Sequence, residues 1–152
     1  QKFYFISNAL VYIIPVVIGA FLHISTTILY ESGTKHHQLS TQKIIAVLFG
    51  IGLAMEGKIP ICYSMTPFVI YRPFEFIRNY VDYESIPVKL IGSGRDRDYD
   101  WLGWSHWATD DKAHLSGFNN LQKMWPKDSE EMSELFQEVI YNNKPTYVNL
   151  SR

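Results

Sequence analysis

Three short apolar runs recur in the second half of the chain, and helix-forming segments separate them. KIPICYSM (residues 58–65), IPVKLIGSG (86–94) and KPTYVNLSR (144–152) read as strands, and SGFNNLQKMWP holds a fourth short strand around Gln122 to Trp125. Between them lie RPFEFIRNYVDYES and KDSEEMSELFQEVIYNN, each with helical spacing. In the first, Phe74, Ile77 and Val81 fall at i, i+3 and i+7, one face of a helix, and Pro73 sits in a first turn that tolerates it. The second places acidic residues in its first turn, as the helix dipole favours. Upstream, IIAVLFGIGLAMEG carries small residues at Ala46, Gly50 and Ala54, a smooth stripe suited to close packing on a sheet, and Gly57 sits where a helix ends. Strands alternating with helices imply βαβ units. The expected fold is therefore α/β, a three-layer αβα arrangement with a mostly parallel central sheet.

The chain is 47% hydrophobic and 19% charged, within the range of folded domains. A net charge of -1 argues against a nucleic-acid surface. The single cysteine, Cys62, lies in an apolar run and reads as a buried, inert thiol. The chain begins with Gln1 and reads as a fragment or one part of a larger assembly.

The first third is harder to place. KFYFI (residues 2–6) looks like a strand. Ala9 to Tyr30 is 22 residues without Asp, Glu, Lys or Arg, long enough to span a bilayer as a helix. Pro15, Gly19, His23 and many β-branched residues fit buried strands or an irregular packed segment as well. A signal peptide fits poorly, with no basic region beyond Lys2. Glu31 to Lys43 is polar and interrupts the pattern.

In parallel sheets, ligands bind beyond the carboxyl ends of the strands. GSGRDRDYDWLGWSHWATDD (residues 92–111) follows a strand at that end. Its Gly92 and Gly94 fit a tight turn better than a phosphate loop, since no third glycine and helix follow directly. The run from Arg95 to Asp100 alternates in sign and is either exposed or paired with a partner subunit. His106, between Trp104 and Trp107, is either a half-buried histidine held by aromatics or a proton donor at the sheet edge. Phe68, Tyr71, Phe74 and Phe76 straddle a strand end and a helix start, where one or two could stack on a planar ring. The adjacent His36 and His37 have no third ligand at metal spacing, so no metal site is expected. His114 receives no role.

GIGLAMEGKIPICYSMTPFVIYRPFEFIRNY, IPVKLIGSG, LGWSHWATDD and KPTYVNLSR, in that order, resemble the pyrimidine-binding domain of transketolase-like, thiamine-diphosphate-dependent enzymes. The resemblance covers residues 49–152, leaving 1–48 as an atypical apolar segment that holds the first strand and an irregular part of the domain. It implies the thiamine-diphosphate-binding fold and a cytoplasmic enzyme half, like the C-terminal subunit of a split transketolase. The chemistry implied is transfer of a two-carbon unit from a ketose or keto acid. The cofactor implied is thiamine diphosphate with Mg²⁺. A diphosphate-binding partner subunit or domain, in a homo- or hetero-oligomer, would hold the diphosphate and metal through a Gly-Asp-Gly…Asn motif that this chain lacks. By the same resemblance His106 faces the substrate, and Phe68 and Tyr71 are the candidates to stack on the aminopyrimidine.

Two positions depart from the family pattern. Leu102 stands where many relatives carry an acidic residue. Lys43, or a residue near it, stands where the family has the glutamate that activates the cofactor ring, in a context like Glu-Gln-Asn. Codons for Gly33 to His37, read one base later, can encode Glu-Gln-Asn-Ile, so an altered reading frame before about residue 45 competes with true loss of the glutamate. The alternatives to an active half-enzyme are a non-catalytic interaction module of the same fold and a membrane-tethered domain anchored by residues 9–30. A soluble-enzyme domain directly after Tyr30 weighs against the tether.

Overall fold

The computed structural model describes residues 35–152, with side chains from residue 43 onward. Residues 2–6, the apolar stretch 9–30 and Gly33–Thr34 lie outside the described residues. The elements are α1 (Lys35–Met55), β1 (Ile61–Met65), α2 (Thr66–Val69), α3 (Phe74–Phe76), β2 (Lys89–Ser93), α4 (Asp111–His114), β3 (Gln122–Met124), α5 (Ser129–Tyr141) and β4 (Thr146–Leu150). The four strands form one parallel sheet in the order β1-β2-β4-β3. Along β2 and β4 neighbouring side chains go to opposite faces, as the strand repeat of two requires. Leu90 and Tyr147 join the cluster of Val47, Ile51, Val69, Ile70, Ile77, Val81 and Leu115. Ile91 and Val148 join Val139 on the other face, with Met132, Leu135 and Ile140 of α5 packed against them. Helices thus cover both faces of a parallel sheet, the expected three-layer α/β architecture.

Several local features differ from the sequence pattern. α1 begins at Lys35 and is one helix through to Met55, so the polar stretch before Lys43 is helical for most of its length and α1 runs continuously past residue 48. Its inward face is Val47, Gly50, Ile51 and Ala54, whereas Ala46 is exposed. Gly50 has the role expected of it: a Cβ there would lie 2.6 Å from Cys62 Sγ on β1. Burial pushes the Cys62 thiol up to about 11, which agrees with an inert cysteine. Gly57 closes the helix in the left-handed region, at φ 74°, with Lys58 N–H donating to Leu53 O. The apolar run of β1 suggests a buried strand, but β1 is an edge strand on which Ile61 and Tyr63 are exposed.

The segment after Pro73 is not a plain α-helix. Three α-helical residues lead into a π-helix, Ile77–Tyr83. Val81 and Asp82, adjacent within it, are both buried. Asp82 faces inward because its Oδ1 accepts the backbone N–H groups of Asn120 and Leu121, both at 2.8 Å, fixing the approach to β3. α5 is capped by Asp128, whose Oδ1 accepts from Glu130 N and Glu131 N, while Glu131 accepts from Lys127 N. Lys89, only 1% exposed at the start of β2, donates to Asn142 O, Asn142 Oδ1 and Lys144 O. It ties the end of α5 to the start of β4, and burial pulls its ammonium down to about 8.

Among the described residues no helix is long and apolar enough to cross a membrane.

Candidate functional site

Parallel register brings the carboxyl ends of β1, β2 and β4 side by side, with Met65 opposite Ser93 and Ser93 opposite Leu150. The segments leaving those ends build the site. α2 starts directly after β1 with no intervening loop. Its first turn can lie against the end of β2 because Gly92 has no side chain. A Cβ there would sit 2.5 Å from Thr66 Oγ1 and 3.2 Å from Thr66 Cα. Gly94 turns the chain at φ 89°, and Tyr99 packs where its Cβ would be. The two glycines of GSG therefore serve close packing and a turn, as the missing third glycine suggested.

The charged run behind them is more tied down than its composition implied. Arg95 donates from Nη2 to Asn149 O at 2.6 Å and to Pro126 O, and from Nε to Asn149 O, bolting the loop to β4 and to the exit of β3. Asp98 Oδ2 accepts from Arg95 N and from Arg152 N. The Arg97 guanidinium lies 4.2 Å over the Trp107 ring, and that of Arg152 lies 4.6 Å over Trp101. Arg95 and Asp98 thus serve the loop's own shape. Asp96, Arg97 and Asp100 of the same run are exposed, as one of the two readings expected.

This anchored loop returns through two short 3₁₀ turns, Asp100–Leu102 and Trp104–His106, and faces α2 across a cleft of about 310 Å³. Pro67, Tyr71, Arg72, Trp104, Ser105, Trp107, Asp110 and His114 line the cleft, with Tyr71, Asp110 and His114 in contact along one wall. Of the three site residues named from the sequence, Tyr71 lines this cleft, while Phe68 and His106 pack on each other beside it and are not among its lining residues. The His106 and Phe68 rings meet edge to face, with centroids 5.0 Å apart, and Ser105 Oγ lies 3.0 Å from His106 Nδ1. Phe68 is itself buried, and the Arg72 guanidinium covers one of its faces at 3.6 Å. Tyr71 lines the cleft directly, with its hydroxyl donating to Asp110 Oδ1 at 2.5 Å. Burial first, then that bond, drives the Tyr71 phenol well above the usual tyrosine range.

A second carboxylate organises the wall beside the cleft. Asp111, 4% exposed, accepts on its Oδ2 from Trp125 Nε1, Tyr147 Oη and Asn149 Nδ2 at 2.7–2.9 Å. This joins the first residue of α4 to β4 and to the end of β3. Asp110, Asp111, Arg72 and His114 carry no signal of a site in the sequence. Adjacent aspartates at a helix start resemble ordinary dipole-complementing residues, and nothing local ties them to Tyr71 or Tyr147, 36 or more positions away.

Residues 31–152 match the family model for the transketolase pyrimidine-binding domain. The chain belongs to that family. Over 99 residues it is 31% identical to an apulose-4-phosphate transketolase subunit of Actinobacillus succinogenes, covering 65% of this chain and 32% of that protein. Over 101 residues it is 28% identical to a 6-deoxy-6-sulfo-D-fructose transketolase subunit of a Clostridium species, covering 66% of this chain and 31% of that one. Among solved structures it is similar to a chain described as "Split gene transketolase, inactive beta4 tetramer". That likeness has a TM-score of 0.62 and 27% identity, and it covers 72% of this chain and 34% of the other. The chain thus spans about a third of the length of these relatives.

A pyrimidine-binding domain is named for its ligand, and the residues of the cleft can be tested against such a ring. Tyr71, Trp104 and Trp107 offer flat aromatic walls. Among the described residues Trp107 Nε1 is a buried donor without a hydrogen-bond partner, as a site that takes a polar ring would leave it. Those features fit ring binding. The activating carboxyl has no match on α1, which carries no Asp or Glu between Lys35 and Met55. Among the described residues no group of three or more His, Cys, Asp or Glu could hold a metal ion.

Proposed function

We propose that this chain is the pyrimidine-binding half of a transketolase-like enzyme of the split type, cytoplasmic and working with a diphosphate-binding subunit to move a two-carbon unit. The observation that carries this reading is the match of residues 31–152 to this family, with an aromatic cleft at the carboxyl edge that Tyr71 lines and beside which the Phe68 and His106 rings pack on each other. The names of the relatives, two of them transketolase subunits, support the split arrangement. Thiamine diphosphate with Mg²⁺, when bound, would supply the carbanion-stabilising electron sink, its metal and diphosphate held by the partner.

This chain's own residues would then bind, orient and shield. Tyr71 presents a ring whose tilt is set by its hydrogen bond to Asp110, and buried Phe68 packs behind the site against His106. Trp104 and Trp107 also line the cleft and exclude water from the reacting face. His106, steadied by Ser105 and by the Phe68 ring, would donate a hydrogen bond or a proton to the oxygen of a ketose or keto-acid substrate.

A second reading is favoured by one observation, the absence of any carboxylate from α1. In it the chain keeps the fold and the partner surface and does not turn over. Co-expression with a subunit that carries Gly-Asp-Gly…Asn separates these readings. A stable complex that transfers a two-carbon unit from a ketose supports the enzyme half. A complex without turnover supports the second reading, and a chain that elutes alone overturns both.

A further inference from the structure

His114 lines the cleft, and its environment determines which of its ring nitrogens carries hydrogen. Nδ1 lies 3.0 Å from the backbone carbonyl oxygen of Asp110 and 3.4 Å from Asp110 Oδ2. Both atoms only accept, so Nδ1 must be the donor. The other carboxylate oxygen, Oδ1, takes the Tyr71 hydroxyl at 2.5 Å. The Tyr71 and His114 rings pack on each other with centroids 5.1 Å apart, and His114 also meets Phe74 edge to face. One residue therefore spans two rings of the same cleft wall.

We infer that Asp110 is the positioning residue of this wall: its Oδ1 holds the Tyr71 hydroxyl and its backbone carbonyl holds the His114 Nδ1–H, with Oδ2 beside that nitrogen at 3.4 Å, so that His114 carries its acceptor on Nε2. Nε2 lies across the ring from Nδ1, on the side away from Asp110, in a side chain 49% exposed at the cleft. A neutral imidazole held this way accepts a hydrogen bond and donates none at that atom. It suits a hydroxyl-bearing ligand and disfavours a carbonyl or carboxylate oxygen at the same spot. Matching that acceptor to the hydroxyl groups of a ketose rests on the function proposed above. The tautomer and the positioning do not.

The test uses ¹⁵N-labelled chain without cofactor or partner, at a pH where the imidazole is neutral. Long-range ¹H–¹⁵N spectra should show His114 with hydrogen on Nδ1 and bare nitrogen at Nε2. A His114 that carries its hydrogen mainly on Nε2 overturns the assignment. The Tyr71 hydroxyl proton should exchange slowly in the wild type and in His114→Gln, and rapidly in Asp110→Asn, where the charged acceptor is gone. Equal exchange in Asp110→Asn and wild type, with both folded by circular dichroism, overturns the positioning role. Neither readout involves thiamine diphosphate, so failure here is distinguishable from failure to bind the cofactor.

Discussion

Replacing Asp111 with alanine should destabilise the domain more than any other single change at the cleft. The carboxylate is buried, and three donors, two on β4 and one just after β3, converge on one of its oxygens. Alanine removes that acceptor and leaves Trp125 Nε1, Tyr147 Oη and Asn149 Nδ2 with no charged partner. A buried donor left without a partner costs about 1–3 kcal/mol. Three of them bring the loss to about 3–6 kcal/mol, with entering water holding it to the lower half. Asp111→Asn can keep an oxygen in place and gives up only the charge assistance, so its cost should be about 1–3 kcal/mol. Urea unfolding, followed by circular dichroism and tryptophan fluorescence, measures both. With a slope of about 2 kcal/mol per molar urea, the alanine midpoint should fall by roughly 1.5–3 M and the asparagine midpoint by about half as much or less. An alanine variant within about 1 kcal/mol of wild type would refute the claim that this carboxylate ties α4 to β3 and β4.

Gly92→Ala forces a methyl group against the backbone of Thr66, so a loss of about 1–3 kcal/mol is expected in the same unfolding assay, together with faster amide exchange through α2. Stability should also depend on pH at the alkaline end. Burial drives the Tyr147 and Tyr71 phenols above the usual tyrosine range, so above about pH 10 the unfolded chain releases two protons that the folded chain keeps, and stability falls by about 2.7 kcal/mol per pH unit. Lys89, pulled down to about 8, acts oppositely: between there and its unfolded value the unfolded chain holds more protons, and stability rises with pH. Tyr147→Phe should about halve the fall, and an unchanged slope above pH 10 would count against the buried phenol. His106→Ala should leave the unfolding midpoint nearly unchanged while cutting turnover in the assembled enzyme by about 10²–10⁴-fold; unchanged turnover would return this histidine to a packing role.

Much of the fold was legible because strand and helix periodicities are local. Leu90 and Ile91, or Tyr147 and Val148, face opposite layers simply because they are adjacent in a strand. What local pattern could not carry was any feature whose cause lies far along the chain. Within the π-helix at Ile77–Tyr83, Asp82 faces inward toward Asn120 and Leu121, and the i, i+3, i+7 spacing of Phe74, Ile77 and Val81 holds no trace of that demand. Lys89 looked like a polar residue in a strand, yet its acceptors sit more than 50 residues away. The candidate site was half legible. Phe68, Tyr71 and His106 were reached through the family resemblance; Phe68 and His106 pack together in the structure, and Tyr71 lines the neighbouring cleft. Asp110 and His114 were not, because their significance comes from a contact with Tyr71 across some 40 positions. The alternating charges after Gly94 were partly legible: Asp96, Arg97 and Asp100 are exposed, as alternation suggests, whereas Arg95 and Asp98 satisfy carbonyl and N–H groups of the chain itself.

The central claim is that this chain contributes the pyrimidine side of a shared thiamine-diphosphate site. Calorimetric titration of thiamine diphosphate with Mg²⁺ tests it most directly, comparing this chain alone, the diphosphate-binding subunit alone, and the two together. Tight binding is expected of the assembled pair and little of either part, with at least tenfold weaker binding when the pair carries Tyr71→Ala. No heat from the pair, or binding by the partner that this chain leaves unchanged, would contradict it.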